Sequence, residues 1–119
     1  MTQTSSCGDV LIANNESLYA ELWTSLASLL RSYTALHGLH EGIEAVIESD
    51  ANRITARNGP RMLHLERHNN AVTWMRENGT SEVLELTDHG RLRGPEGEEE
   101  LDMAAEAWAR ELMNGDATR

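Results

Sequence analysis

The chain has no phenylalanine, no lysine and a single cysteine among its 119 residues, and each shortage narrows what it can be. Without Phe, and with aromatics at only 4%, the interior has to be filled by Leu, Ile, Val, Met and three tryptophans, Trp23, Trp74 and Trp108. Each indole then carries a large share of the packing. One cysteine, Cys7, cannot form an internal disulfide, which suits a reducing cytoplasm. It lies in a polar stretch with no ordered neighbour to depress its pKa, so a nucleophilic thiol is not expected. No run approaches the roughly 18 apolar residues of a membrane span, and no basic region followed by an apolar run of signal-peptide length is present. The expectation is a soluble, unexported, cytoplasmic protein.

Twenty acidic residues face ten basic ones, all arginine, for a net charge of −10. That balance repels phosphate backbones and anionic lipid surfaces, whose binding leans on clustered Lys and Arg. Neither nucleic acid nor a membrane is therefore expected as a partner. Arginine suits bidentate anion recognition, but these arginines are scattered along the chain.

The length fits one core without disulfide or metal staples. The expected organisation is a frayed leader over residues 1–13, one α+β domain over 14–115 and a frayed tail over 116–119. From Asn14 or Asn15, either able to cap a helix, apolar residues recur at Leu18, Leu22, Leu26, Leu29, Tyr33 and Leu36, widened by Tyr19, Trp23 and Leu30. Spacings of three and four trace one helical face. About 22 residues at 1.5 Å each would reach some 33 Å, with Gly38 as a stop.

Beyond Gly42 the period becomes two, with Ile43, Ala45 and Ile47 alternating with Glu44, Val46 and Glu48, the mark of a half-buried strand. Short strands follow at 53–57, 61–67, 71–76 and 82–87, with an edge strand at 91–93. Asn58-Gly59-Pro60 and Asn78-Gly79 punctuate them, and the Asn-Gly pair is a hairpin signal because both residues tolerate positive φ. A closing helix is predicted over 98–113, with Glu98, Glu99 and Glu100 in its first turn at the positive end of the dipole. Leu101, Ala104, Ala105, Trp108 and Leu112 form its buried stripe and Asn114-Gly115 its end. Hairpin-length connections dictate an antiparallel meander. The expected fold is a two-layer α+β sandwich: a meander sheet of about five to six strands, with N-terminal and C-terminal helices packed on one face.

Candidate surfaces follow from the alternation. Val46, Met62, Met75 and Val83 fall on the outer face among Arg53, Arg57, Glu44, Glu48, Glu66 and Glu85, while the face taken by Trp74 is open. An apolar patch rimmed by charge marks interfaces, so Val46, Met62, Trp74, Met75 and Val83 are the candidate interface residues. The leading expectation is a non-catalytic interaction module that forms a homodimer or docks on a protein partner.

Chemistry is sparse. His64, Glu66 and His68 share one strand face, but residues four apart on a strand are some 13 Å distant at about 3.3 Å each, too far to share an ion at about 2 Å per bond. His37 and His40 sit at the end of the first helix, where an imidazolium complements the carbonyls. Ser25 and Ser28 lie in a helical pattern with no nucleophile elbow, and no carboxylate pair is set up for acid and base roles. No catalytic residue, metal ligand or cofactor is therefore assigned.

Two alternatives remain. The order of a long helix, a meander and a C-terminal helix resembles the frataxin family, which handles iron through acidic surface residues. The resemblance implies cation handling, although the first helix here carries only Glu16 and Glu21 and the central strands only Trp74. The oxygen ligands to consider are Glu98, Glu99, Glu100 and Asp102. The other alternative is a small-molecule pocket between sheet and helices, near Trp23, Trp74 and Trp108.

Overall fold

A computed structural model describes residues 2–39 and 42–114, with side chains from Glu16 onward. Helix α1 (Thr2–Gly38) is followed by β1 (Val46–Ser49), β2 (Arg53–Asn58), β3 (Arg61–His68), β4 (Ala71–Arg76), β5 (Ser81–Leu86), β6 (Arg91–Gly94) and β7 (Gly97–Glu100), then α2 (Leu101–Asn114). The strands form one antiparallel sheet in chain order, and both helices pack on one of its faces. The sheet has seven strands, more than the five to six expected.

Helix α1 starts at Thr2, well before Asn14 and Asn15, because no proline interrupts the segment and helix formation propagates once nucleated. The side chains of the leader and the residues of the tail, 116–119, lie outside the described set, as does His40. The buried stripe of α1 is Trp23, Leu26, Leu30 and Thr34, rotated from the expected one. Leu22, Leu29 and Tyr33 are half-buried, and Leu36 is exposed at 59%. Alanines explain the rotation: Ala27 on α1 and Ala104 and Ala105 on α2 are buried in the shared core. Small side chains let two helices approach closely. The Thr34 hydroxyl donates back to the Leu30 carbonyl at 2.8 Å, which satisfies it inside the core.

Alternation then sorts the sheet. Ile54, Leu63, Leu65, Val72, Leu86 and Leu92 face the helices and are nearly inaccessible. Arg67 continues the Leu63 and Leu65 line inward and is 7% exposed. Its guanidinium donates to the carbonyls of Asn69 at 2.9 Å and Ala51 at 3.3 Å and meets Glu16 at 3.3 Å. A buried charge is tolerable only with such partners.

Residues 98–100 are strand, not the first turn of a helix. In the β6–β7 hairpin Arg93 lies opposite Glu98 and Arg91 opposite Glu100, and opposite charges facing across strands stabilise by about 0.2–1 kcal/mol per pair. Gly97 turns the chain at φ 125°, a conformation that excludes a Cβ. Helix α2 begins afterwards, with Asp102 in its first turn. Its C-terminal carbonyls are capped from the sheet: Asn58 donates to Leu112 O at 3.1 Å, and Arg61 to Leu112 O at 2.9 Å and Met113 O at 3.2 Å. Side chains from the β2–β3 hairpin thus satisfy groups a helix end leaves orphaned.

At Glu77–Thr80 only Gly79 has positive φ. Asn78 instead accepts a hydrogen bond from the Thr80 amide at 2.9 Å, so its side chain rather than its backbone shapes the turn.

Candidate functional site

The outer face of the sheet is uncovered by either helix. In register, Met75 faces His64 on one side and Ser81 on the other, which makes Met62 and Val83 its diagonal neighbours, within reach of long side chains. Met62, Met75 and Val83 therefore form an oblique apolar line across β3, β4 and β5. Val46 stands apart, since Arg57 lies between it and Met62. Val46, Met75 and Val83 are exposed at 59%, 39% and 61%. Charged pairs flank the line: Glu48 with Arg57 at 3.9 Å, and Glu85 with Arg93 at 3.5 Å. Exposed pairs of this kind contribute little to stability.

Trp74 does not belong to that surface. It points to the helices, is 8% exposed and joins the core, because β4 pairs Trp74 with the inward Leu65 of β3. Its ring borders a cleft of about 260 Å³ between the sheet and α2, together with Trp108, Leu84, Glu82 and Gly94. Of the three tryptophans expected around a pocket, Trp23 does not line this cleft. It packs within the core and donates its indole N–H to the Asp50 carbonyl at 3.1 Å. Arg76 lies over the Trp74 ring, 4.7 Å from its centroid, and pairs with Glu111 through Nη2 at 2.8 Å. Residues 94 and 97 explain the opening, since glycines paired across β6 and β7 leave the sheet without side chains there. Arg76, Glu82 and Gly94 were missed by sequence reasoning, although period-two counting from Leu84 and Leu92 puts Glu82 and Gly94 on the inner face; Arg76 follows only once the face of Trp74 is known.

His64 and His37 have structural partners. His64 lies between Thr55 at 3.1 Å and Glu66 at 3.0 Å, and that hydrogen bond holds the Glu66 carboxyl below the usual carboxylate range. His37 meets Glu106 at 3.0 Å, which ties α1 to α2 in addition to its place in the last turn of α1. Asp102 accepts the Tyr33 hydroxyl at 2.7 Å, a bond that raises the phenol's pKa. Among the described residues no three His, Cys, Asp or Glu could hold a metal ion together. The acidic run is split: Glu98 and Glu100 face arginines on the outer side, whereas Glu99 lines the cleft on the inner side. Ser25 and Ser28 are exposed on α1.

Glu77 accepts the Met62 amide at 2.9 Å, and backbone N–H donation from Met62 and from Glu77 itself holds its carboxyl below the usual 4.5. A depressed folded pKa adds stability that is present above the unfolded value and disappears as pH falls through the folded one. Glu77→Gln is therefore expected to lower stability near neutral pH by at most about 1 kcal/mol, since solvent screens the group. Urea unfolding of both proteins should show the difference shrink and vanish as the pH is lowered into the acid range where the folded-state carboxylate protonates.

No helix among the described residues is long and apolar enough to cross a membrane. No protein-family model, no curated protein and no solved structure matches the chain.

Proposed function

We propose that this chain is a non-catalytic, cytoplasmic interaction module that forms a symmetric homodimer through the outer face of its sheet. The carrying observation is the oblique line of Met62, Met75 and Val83 on a face that neither helix covers, with Met75 and Val83 exposed at 39% and 61%. Two such faces can pack at about 10 Å with their side chains interleaved. Charge does not oppose this locally despite the net −10, because the acidic groups flanking the line are matched by Arg57 and Arg93. The frataxin-like alternative has less support, since its proposed oxygen ligands divide between two sheet faces.

Native mass spectrometry of the untagged protein tests the reading. A dimer is expected for the parent chain, and Met75→Glu with Val83→Glu should convert it to monomer. Folding stability should change by no more than about 0.5 kcal/mol for each substitution, because both sites are on the surface. A parent protein that is monomeric at about 100 μM, a concentration that would populate even a weak dimer, overturns the proposal.

A further inference from the structure

The cleft lies on the opposite side of the sheet from the proposed interface. Trp74 and Leu84 from the strands and Trp108 from α2 form the apolar and aromatic part of its lining. Its charge is acidic. Arg76 is matched by Glu111, whereas Glu82 and Glu96 border the same opening and form no ion pair among the described residues. In register Glu82 lies directly opposite Trp74, so a carboxylate and an indole share one wall. The Trp74 ring already accepts a guanidinium at 4.7 Å, as the negative face of an indole does.

We propose that this cleft binds a small organic cation, an alkylammonium or quaternary ammonium group carrying a short apolar body. Glu82 supplies the counter-charge, and Trp74 and Trp108 supply the aromatic surface. Aromatic groups with an adjacent carboxylate suit such ions, the quaternary ones above all, because a weakly hydrated quaternary ammonium gives up little solvation and gains both cation–π and Coulomb attraction. The volume of about 260 Å³ limits the ligand to a few heavy atoms, just under the usual range for drug-sized sites. Gly94 keeps the space open: a Cβ there would come within 2.7 Å of Leu84 Cδ2.

Three probes of nearly equal shape test the assignment: choline, neutral 3,3-dimethyl-1-butanol and anionic 3,3-dimethylbutanoate. Binding to the full chain is followed through the indole N–H signals of Trp74 and Trp108 by NMR. Choline is expected to shift both saturably, the alcohol about tenfold more weakly and the carboxylate not at all. Glu82→Gln keeps the side-chain shape and should weaken choline about tenfold. It should leave the Trp23 signal and the circular dichroism unchanged, which separates lost binding from lost folding. Equal affinity for choline and the alcohol, preference for the carboxylate, an unaltered affinity in Glu82→Gln, or no saturable shift by about 10 mM would each overturn the proposal. The oligomeric state is a separate readout, so failure here leaves the outer-face interface standing.

Discussion

Trp23→Ala is expected to destabilise the protein by about 3–5 kcal/mol, a large fraction of the roughly 5–15 kcal/mol that holds a small domain together. Trp23 is 2% exposed and packs in the core cluster with residues from both helices and the sheet. Its removal leaves a void that the surrounding Leu, Ile and Ala side chains cannot fill, and a cavity adds its own cost to the lost transfer free energy. The Asp50 carbonyl also loses the indole donor at 3.1 Å. Trp23→Phe separates these contributions: it keeps much of the ring volume and forfeits the hydrogen bond, for an expected cost nearer 1–2 kcal/mol, roughly. Urea unfolding followed by far-UV circular dichroism measures both. A loss below about 1 kcal/mol for the alanine variant would mean that the indole is not part of a close-packed interior.

Gly38→Ala is expected to cost about 2–3 kcal/mol, although alanine is the better helix former. A Cβ at position 38 would overlap the Ile43 carbonyl oxygen and come within 2.8 Å of Met113 Cε. The methionine tip can swing aside. The carbonyl cannot do so easily, because it belongs to backbone that the Ile43 amide anchors to the Gly38 carbonyl at 3.0 Å. Relief requires the end of α1 to move away from the segment that leads into β1. Gly42→Ala provides the contrast. Its Cβ would meet nothing within 4 Å, and only its φ of 66° penalises a side chain, by about 1 kcal/mol. Equal losses for the two variants would show that crowding at Gly38 is absent.

The two glycines illustrate what local pattern conveys. Gly38 was read as a helix stop, and α1 does end there. The pressing constraint, however, is a backbone segment five residues on and a methionine from the far end of the chain, neither of which a helix-ending rule contains. The same division applies to the surfaces. Period-two counting sorted Val46, Met62, Met75 and Val83 to the outside, and their exposures agree for Val46, Met75 and Val83. It left Trp74 unassigned, because β4 carries apolar groups on both faces and only its pairing with Leu65 decides between them. The acidic run was misread for a related reason. Three glutamates before an amphipathic stripe favour a helix start, but Arg91 and Arg93 stand across a four-residue hairpin and draw Glu100 and Glu98 into a strand.

By itself the sequence determined the periodicities: two amphipathic helices around strands of alternating polarity, joined by turns too short for anything but an antiparallel meander. Those are near-neighbour properties, set by backbone sterics and by the 3.6 and 2.0 residue repeats. Only the tertiary structure decided which stripe of α1 is buried, where α2 begins, and that Trp74, Trp108 and Glu82 border one cleft. Each of these depends on how closely helices with small residues at their contact approach each other and on which side chains are missing at Gly94 and Gly97. Packing of that kind joins residues far apart in the chain, and no local repeat encodes it.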